Sequence, residues 1–446
     1  MASGGFFADT YGVSQALDQS HRYKAALDRF VELFVTADRA DKGDRADGAD
    51  RVDRADAADR VDEQEVVMLS SPGRTELGGN HTDHNNGRVL AAAVSLDCLG
   101  VARPRDDRVV RLVSEGFGRT FEVDLSRLDP REAEEGQTEA LIRGVGAGLA
   151  GEGIGPTGAD IYLSSRVAPG SGLSSSAAVE VLLGALFCRL AKTTLEPITL
   201  AKIGQAAENR FFGKPSGLMD QVACAHGGIV SIDFEDPTAP VVTPMDASFS
   251  DYGYALFVVD TGGDHADLTD DYAAVPREMR AVAAHFDKKT MRGITQDDLM
   301  SAAAEIRFNA GDRAFLRALH FVEENGRVTE MVSALRAEDF DTYLRLVDES
   351  GRSSWEYLQN YVPTGAVGAQ PVAAAVALTR VFLEKNGAKG AARVHGGGFA
   401  GTIQAYIPTD LADRYAEFIE SVFGSPAATR LRVRKLGPSF LSPAGS

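Results

Sequence analysis

Cysteine is scarce in this chain of 446 residues, which contains only Cys98, Cys188 and Cys224. None of the three belongs to a CxxC pair, and the first two lie in apolar runs. This usage argues against a secreted fold held together by disulfides. We expect three reduced, mostly buried thiols in a cytoplasmic protein.

Long apolar runs and excess positive charge are also lacking. No run approaches the roughly 20 apolar residues that a membrane span needs, and the start, MASGGFFADTYG, has neither the basic residues nor the apolar stretch of a signal peptide. The net charge is −18 and the pI is about 4.9. An acidic surface repels phosphate backbones and anionic lipids, so we expect neither nucleic acid nor membrane as a partner.

The chain is long enough for two or three domains, and its 44% hydrophobic residues can fill sizeable cores. Periodicity predicts helices and strands in a mixture that indicates an α/β or α+β fold. The predicted helices cover 15–35, 138–150 and 173–191, and the predicted strands lie at 66–73, within 109–123 and at 159–166. The connection 228–250, with three prolines, is the best candidate for a domain hinge.

Residues 37–64 carry aspartate at every third position from Asp38 to Asp62, with basic residues in many of the gaps. A period of three drifts around a helix of 3.6 residues per turn, and the segment has almost nothing to bury. The pattern favours a solvated, low-complexity surface insertion over an interaction tail or a trap for divalent ions.

Two glycine-rich loops stand out further along the chain. In APGSGLSSSAAVEVLL, 168–183, small residues lead directly into an apolar helix. The free N–H groups and the dipole of a helix N-terminus bind anions, so this loop could hold a phosphate, although a plain serine cap fits the same pattern. In VHGGGFAG, 394–401, three glycines before a strand indicate a close backbone approach or a tight turn.

The segment SPGRTELGGNHTDHNNGR, 71–88, combines turn formers with titratable groups. One interpretation is a metal site built from His81, Asp83 and His84 together with His265, as in zinc hydrolases. The other is a polyol site, because carboxylates accept hydrogen bonds from vicinal hydroxyls. The residues alone leave both interpretations open.

These motifs carry a resemblance to a known family. GRTELGGNHTDHNNG resembles the galactokinase signature, whose usual form is GRVNLIGEHTDYNGG, and PGSGLSSSAA is similar to the ATP-binding motif of the galactokinase, homoserine, mevalonate and phosphomevalonate (GHMP) kinase superfamily. VHGGGFAG resembles the third motif of that superfamily. Between the last two, QAAENRFFGKPSGLMDQVACAHGG is close to the family's stretch around its catalytic aspartate. The resemblance runs from about residue 65 to the C-terminus.

The resemblance implies a two-domain fold with the active site in the cleft between an N-terminal domain, 1–227, and a C-terminal domain, 228–446. It also implies a galactokinase that phosphorylates the C1 hydroxyl of α-D-galactose with ATP and Mg²⁺. We expect this enzyme to be a monomer and to act in the cytoplasm, as the cysteine usage indicates. Asp220 matches the catalytic aspartate, which orients or deprotonates that hydroxyl, and Arg74 matches the arginine beside it. In such a pair the guanidinium keeps the carboxylate ionised and steadies the transferring phosphoryl group.

The remaining site residues are also implied by the resemblance. The sugar contacts match Asn80, His81, Asp83, Gly217 and Tyr272, and the magnesium ligands match Ser176 and Glu208. The nucleotide phosphates would be held by Gly170, Gly172, Leu173, Ser174, Ser175 and Ser176. Gly396, Gly397 and Gly398 would shape the floor between nucleotide and sugar.

The sequence departs from the family pattern near the sugar. Asn80 replaces a glutamate that helps to hold the sugar, and four further departures are His84 for tyrosine, Asn86 for glycine, Ser216 for cysteine and His395 for threonine. Loss of the glutamate could favour an acidic sugar such as galacturonate, because one negative charge leaves the pocket. The alternatives are therefore a kinase for galacturonate, L-arabinose or N-acetylgalactosamine, a non-catalytic sensor of galactose and ATP, or the metallohydrolase.

Overall fold

The computed structural model describes residues 2–36, 66–155, 157–168, 170–214, 216–263, 268–399 and 401–441. The charged segment predicted to be a surface insertion, 37–64, lies outside these ranges, as does His265 of the proposed metal site.

The larger of two sheets contains the signature segment. Its strands are β1 (Val67–Gly78), β2 (Arg88–Pro104), β3 (Val109–Ser114), β4 (Thr120–Asp124), β5 (Ala159–Ser165), β6 (Ile229–Asp233), β7 (Val241–Met245) and β12 (Ser439–Leu441). The order is β12-β1-β2-β5-β3-β4, with β6 beside β2 and β7 beside β6. Among the described residues, β3 and β5 form the only parallel pairing of this sheet.

Helices of the first half of the chain pack on this sheet. They are α1 (Ala2–Tyr11), α2 (Ala16–Phe30, continued by the π-helical turn Val31–Thr36), α3 (Thr138–Gly151), α4 (Ser175–Leu190), α5 (Pro197–Ala207, continued by the π-helical turn Glu208–Phe212) and α6 (Met219–His226). Helix α4 is apolar around most of its circumference and is buried against β1, β2 and three of these helices. Its N-terminus is thereby fixed beside β1.

The smaller sheet has the order β11-β8-β10-β9 and is antiparallel throughout. Its strands are β8 (Tyr254–Asp260), β9 (Ala391–Val394), β10 (Thr402–Pro408) and β11 (Ala428–Leu431). The helices of this half are α7 (Thr269–His285), α8 (Gln296–Ser301), α9 (Ala303–Asn309), α10 (Asp312–Arg336), α11 (Phe340–Ser353), α12 (Pro371–Lys385) and α13 (Ala412–Phe423). A π-helical turn, Ser354–Leu358, extends α11.

Strand β8 shows how one sheet serves two cores. Leu256 and Val258 belong to the main hydrophobic core, whereas Ala255, Phe257 and Val259 belong to a second core with α12 and α13. Successive strand residues point to opposite faces, so the alternation places the smaller sheet between the two cores. The main core also contains residues of both sheets and of α10 and α11, and it is continuous across the two halves.

The mixed α/β prediction is confirmed, and the predicted helices and strands are present with bounds that shift by a few residues. The clearest shift is at β1, which runs past the predicted end at residue 73 to Gly78. Residues 229–245, within the predicted hinge, form a hairpin that pairs with β2 of the larger sheet. The division into two domains stays a prediction, and this pairing favours a boundary after the hairpin. Within the described ranges, no helix is both long and apolar enough to cross a membrane.

A buried charge ties the N-terminal helices to the larger sheet. Asp97 of β2 is fully buried, and its Oδ1 accepts a hydrogen bond from Arg22 Nη1 over 2.6 Å. Its Oδ2 accepts from the hydroxyls of Tyr11, Tyr23 and Ser70. Burial opposes ionisation, but the guanidiniums of Arg22 and Arg434 and the hydroxyl of Ser70 hold the pKa of Asp97 below its usual range. The carboxylate is therefore satisfied as an anion inside the protein.

We predict that Asp97→Ala lowers the free energy of unfolding by about 3–5 kcal/mol, because it leaves the Arg22 guanidinium buried without its carboxylate. Since folding depresses the pKa of Asp97, the stabilisation is present above the unfolded pKa of about 3.9 and is lost as the pH falls through the folded value. Urea unfolding of the full chain at neutral pH measures the difference.

Asp107→Ala is the matched control for this prediction. Asp107 also pairs with an arginine, Arg105, over 2.5 Å, but its side chain is 47% exposed. A surface pair of this kind contributes at most about 1 kcal/mol. Equal losses of unfolding free energy in the two variants would contradict the role given to the buried cluster.

Candidate active site

The loop between β5 and α4 has the backbone geometry of an anion site. Gly170, Gly172 and Ser174 all have positive φ, at 78°, 72° and 60°. A Cβ built on Gly172 would lie 2.5 Å from Oγ1 of Thr402, so the position needs glycine for space as well as for φ. Helix α4 begins at Ser175, and the first N–H groups of a helix have no intrahelical acceptor. Both features suit a phosphate group.

An arginine and an aspartate meet beside this loop. Arg74 of β1 donates from Nε to Oδ1 of Asp220 over 2.6 Å and from Nη2 to Oδ2 over 2.7 Å. Its Nη1 donates to the carbonyl oxygen of Gly172, and its backbone N–H donates to that of Leu173 over 3.0 Å. Ser174 Oγ donates to Oδ2 of Asp220 over 2.7 Å. Three consecutive residues of the loop, Gly172, Leu173 and Ser174, therefore hold the pair in place.

A local irregularity of β1 brings Arg74 this close. The pairing of β1 with β2 shifts register between Pro72 and Arg74. Between them, a Cβ on Gly73 would lie 2.9 Å from the carbonyl oxygen of Leu173, so only glycine allows the strand to approach the loop at this distance. The Pro-Gly pair thus ends one stretch of the ladder and presents Arg74 to the loop.

The electrostatics of the pair favour an ionised aspartate. Burial alone would raise the pKa of Asp220, but the Arg74 guanidinium and the Ser174 hydroxyl outweigh it and hold the pKa below its usual range. The carboxylate is consequently an acceptor with a fixed orientation. A hydroxyl group bound next to it would be oriented by donation to the carboxylate.

Two oxygen ligands suited to magnesium meet at the start of α4: Ser176 is the second residue of that helix, and Glu208 is on the π-helical turn that continues α5. Ser176 Oγ donates to Oε1 of Glu208 over 2.8 Å, and Lys214 Nζ donates to the same oxygen over 2.9 Å. Gln221 lies behind them, with its Nε2 at 3.0 Å from Oε2 of Glu208 and 3.0 Å from Oε2 of Glu180. Hard oxygen donors of this type, few in number and near an anion site, fit Mg²⁺ completed by phosphate oxygens.

The second glycine loop is held by hydrogen bonds to its carbonyl oxygens. The carbonyls of Gly396, Gly397 and Gly398 accept in turn from Asn80 Nδ2 over 2.6 Å, His81 Nε2 over 2.9 Å and the Tyr272 hydroxyl over 2.9 Å. A Cβ on Gly397 would lie 2.2 Å from the Tyr272 ring. A Cβ on Gly398 would lie 2.3 Å from the carbonyl oxygen of Asn360, so close packing requires glycine at both 397 and 398.

His81 has a defined tautomer. Because the carbonyl oxygen of Gly397 can only accept, Nε2 must carry the proton, which leaves Nδ1 as an acceptor. Burial lowers the pKa of His81 to about 3, so the imidazole is neutral over the physiological range. A neutral imidazole of this kind is suited to accepting a hydrogen bond from a hydroxyl.

Asp83 lies directly against Gly217, and Gly217 belongs to the segment that leads into Asp220. A Cβ built on Gly217 would lie 1.8 Å from Oδ2 of Asp83. The carboxylate is mostly buried, and its Oδ1 accepts from the backbone N–H of His84 over 2.9 Å. This approach joins the signature segment to the helix that carries the aspartate.

The structure brings most of the predicted residues together, but their roles differ. Asn80, predicted to contact sugar, is fully buried, and its amide is used by protein groups rather than presented outward. Leu173 contributes its carbonyl oxygen, while its side chain lies in the core. His395 is buried between Thr75 and Thr402, with ring nitrogens 2.9 and 3.1 Å from their hydroxyls.

The metal-site interpretation gains no support from the described residues. They contain no group of three or more His, Cys, Asp and Glu side chains that could hold a metal ion. His81 turns Nε2 toward a carbonyl oxygen, and the His84 Nε2 lies 3.7 Å from Oδ1 of Asp83.

Sequence reasoning missed a set of buried polar residues behind the site. They are Glu76, Glu180, Gln221, Glu324, Asn360, Arg393 and Gln404. One signal was available: in AARVH, Arg393 lies inside an apolar strand. A charged residue is rarely buried unless it is paired, so this pattern indicates a buried partner of opposite charge.

Known proteins resemble this chain in sequence. The family model of the GHMP kinases N terminal domain matches residues 140–228, and the galactokinase galactose-binding signature matches residues 58–104. A galactokinase of Actinobacillus pleuropneumoniae is 31% identical over 350 residues, which cover 78% of this chain and 87% of that protein. A galactokinase of Glaesserella parasuis is 31% identical over 363 residues, which cover 80% and 88%.

Solved structures share the fold. The galactokinase of Lactococcus lactis complexed with galactose has a TM-score of 0.73 at 24% identity, over 87% of this chain and 98% of that chain. The mevalonate kinase of Methanococcus jannaschii has a TM-score of 0.58 at 15% identity, over 82% and 98%. At these identities the similarity shows the fold, which is that of the GHMP kinases. Because the two bacterial galactokinases are each 31% identical to this chain over 87% and 88% of their own length, the chain belongs to the galactokinase family.

The contact between Asp83 and Gly217 generates a prediction. Gly217→Ala forces the Asp83 carboxylate to move, because the added Cβ would lie 1.8 Å from Oδ2 of Asp83, far too close for two atoms that are not bonded. A displacement of about 1 Å in a binding site can cost about 10²-fold in kcat/KM, and we expect a loss of that order in sugar-dependent ADP release. The matched control is Gly326→Ala, at a position in α10 where an added Cβ meets open space. Equal activity in the two variants would show that the contact does not shape the site.

Proposed function

We propose that this chain transfers the γ-phosphoryl group of ATP to the C1 hydroxyl of α-D-galactose and releases galactose 1-phosphate and ADP. The observation that carries the proposal is the bidentate Arg74–Asp220 pair, which is hydrogen-bonded to the phosphate-type loop through Ser174. It places one ionised acceptor and one cation at the junction of the sugar signature and the anion site. Family membership supplies ATP and a sugar as the two substrates.

The chemistry then follows from what each side chain can do. Asp220, kept ionised by Arg74, accepts a hydrogen bond from the C1 hydroxyl and orients its oxygen toward the γ-phosphorus. The C–O–P bond forms as the bond to the β–γ bridging oxygen breaks, and the hydroxyl proton passes to the carboxylate. The Arg74 guanidinium lies where negative charge builds on the transferring group. Positioning and charge neutralisation carry most of such a transfer.

The phosphate side is assigned to the loop and the start of α4. Gly170, Gly172 and the residues 173–176 would hold the nucleotide phosphates with backbone N–H groups and hydroxyls. Ser176 and Glu208 are the residues that would hold Mg²⁺, which neutralises phosphate charge when bound. The Lys214 ammonium, which donates to Oε1 of Glu208, helps to balance the phosphate charge.

The sugar side is assigned to His81, Asp83, Gly217 and Tyr272. The first two offer a neutral imidazole acceptor and a carboxylate, which suit a neutral ligand with several hydroxyls. We expected the replacement of the usual glutamate by Asn80 to remove a negative charge and so to favour galacturonate. A carboxylate is nevertheless present, because Oε1 of Glu76 lies 3.1 Å from Nδ2 of Asn80. Galactose is therefore the favoured substrate.

The remaining proposals concern the enzyme as a whole. We propose a monomer that acts in the cytoplasm without nucleic-acid or membrane partners, in keeping with the net charge of −18. The substrates would meet in the cleft between an N-terminal and a C-terminal domain, since the two glycine loops come from opposite halves of the chain.

The direct test is ADP release from Mg-ATP with galactose, galacturonate, L-arabinose, N-acetylgalactosamine and glucose side by side. We expect turnover mainly on galactose. Turnover mainly on another sugar would overturn the substrate assignment. Binding of galactose and ATP without ADP release would identify a sensor instead of an enzyme.

Asp220→Asn tests the assignment of the carboxylate. The substitution keeps the size of the side chain but removes its charge, so we expect turnover to fall by at least about 10²-fold with the fold intact. Asp246→Asn, the same change at an exposed position, is the control for charge and handling. Near-normal turnover of a folded Asp220→Asn protein would rule out the role given to Asp220.

The pH profile of Arg74→Gln tests the electrostatic coupling. With Arg74 removed, burial dominates and raises the pKa of Asp220, so the acidic limb of kcat/KM should move toward neutral pH. In the unsubstituted enzyme the lowered pKa keeps Asp220 ionised over roughly pH 5–8. Rates of both proteins between about pH 5 and 8.5 decide the matter. A uniform loss of rate with an unmoved acidic limb would mean that Arg74 does not set the charge of Asp220.

A further inference from the structure

Asn80 is at the centre of a buried polar network behind the sugar subsite. It is fully buried, and its Nδ2 donates to Oε1 of Glu76 over 3.1 Å and to the Gly396 carbonyl oxygen over 2.6 Å. Its Oδ1 accepts from Asn360 Nδ2 over 2.8 Å. Because the two partners of Nδ2 can only accept, the orientation of the amide is determined. One side chain thus links β1, the second glycine loop and the segment after α11.

Glu76 carries the charge of this network. Its side chain is almost fully buried, and Oε1 forms an ion pair with Nη2 of Arg393 on β9. Arg393 Nη1 donates onward to Ser350 Oγ over 3.0 Å, and Ser350 Oγ donates to Oε1 of Glu324 over 2.7 Å. The guanidinium is as deeply buried as the carboxylate, so each needs the other to remain charged.

The same pair differs from the family signature in a specific way. In the signature form GRVNLIGEHTDYNGG, asparagine aligns with Glu76 and glutamate aligns with Asn80. This chain therefore has the two residue types in exchanged positions, with one carboxylate and one amide in both cases. In this chain the two positions are in direct contact, with the carboxylate paired to Arg393 and the amide bridging that carboxylate to the glycine loop.

The network acts on the residues that would bind sugar. His81 follows Asn80 directly, has a positive φ of 59°, and donates to the next carbonyl of the same glycine loop. The backbone carbonyl of Asn80 accepts a hydrogen bond from His320 Nε2 over 2.9 Å. The peptide bond between Asn80 and His81 is therefore held by His320 and by the hydrogen bonds of both side chains to the glycine loop. Movement of Asn80 would move His81 and the loop together.

We propose that Glu76 and Asn80 are an exchanged pair of positioning residues that sets the geometry of the sugar subsite through the Gly396 carbonyl and His81. The inference rests on the proposed function, because it concerns the sugar subsite of the same reaction. Neither residue is assigned contact with the reacting atoms. Their effect should fall on sugar binding and leave the nucleotide side largely unchanged.

The test uses isosteric substitutions in the full chain. Asn80→Asp places a second buried carboxylate against Glu76, and Glu76→Gln leaves Arg393 without its anion. We expect each single variant to raise the KM for galactose by about 10-fold or more, with a much smaller change in the KM for Mg-ATP. The double variant Glu76→Gln/Asn80→Asp again has one carboxylate and one amide, and the amide at position 76 can donate to the carboxylate at position 80. The hydrogen bond to the Gly396 carbonyl stays lost, so we expect the double variant to recover only the part of the loss that comes from two opposed carboxylates. Glu330→Gln, an exposed charge on α10, is the control.

The outcomes separate this proposal from the proposed function. Absence of galactose phosphorylation in the unsubstituted enzyme would refute the function and the positioning role together. An active parent whose double variant shows the product of the two single losses would overturn the exchanged pair alone. Single variants that lower only the melting temperature, with the galactose KM unchanged, would also overturn it.

Folding is monitored in every variant by thermal unfolding, and calorimetric binding of galactose without ATP gives a second readout. If Glu76→Gln alone does not fold, the comparison of Asn80→Asp with the double variant decides. The double variant must then fold and bind galactose more tightly than Asn80→Asp. Failure on either count contradicts the proposal.

Discussion

Arg74 and Asp220 are 146 residues apart in the chain and form a two-point ion pair in the fold. A bidentate guanidinium–carboxylate contact fixes direction as well as distance. To make it, β1 must break its ladder at Pro72, α6 must present its first turn, and the loop before α4 must lie within reach of both. The position of the candidate site is set by these requirements, and the larger sheet and its helices provide a rigid frame for them.

The second glycine loop depends on the same frame. Its three carbonyls accept from Asn80, His81 and Tyr272, so the loop is positioned by the segment that follows β1 and by α7. Behind it, Glu76 and Arg393 join β1 to β9 through a buried ion pair. Removing either partner of such a pair would leave the other charge buried and unpaired, which is strongly destabilising. The ion pair therefore holds the two halves of the site together.

Local sequence signals predicted a large part of this arrangement. The apolar stretch after the serines of the first loop predicted that α4 is a buried helix, because a helix that is apolar on all sides must be buried. Strand β2 was not predicted, since its run of alanines lacks the alternation that marks a half-buried strand. The pairing of β12 with β1 was missed as well, because a three-residue strand from the far end of the chain has no local signature.

The candidate site could be predicted only where a motif carried it. Arg74, Asp220 and the loop serines lie together as the resemblance implied, whereas their exact contacts depend on long-range packing. Asn80 shows the limit most clearly. Its side chain was assigned to the sugar by position in a motif, yet its contacts come from Glu76, Gly396 and Asn360, and two of these are remote in sequence. Buried polar networks of this kind are decided by tertiary structure.

The central claim is that Asp220 receives the hydroxyl group that is phosphorylated. A crystal structure of the full chain with galactose and a non-hydrolysable ATP analogue tests it most directly. We expect the C1 hydroxyl oxygen to lie within hydrogen-bond distance of the Asp220 carboxylate, about 2.6–3.2 Å, with the γ-phosphate on the side of Arg74 and the α4 N-terminus. A sugar bound with a different hydroxyl toward Asp220, or bound away from the Arg74–Asp220 pair, would contradict it.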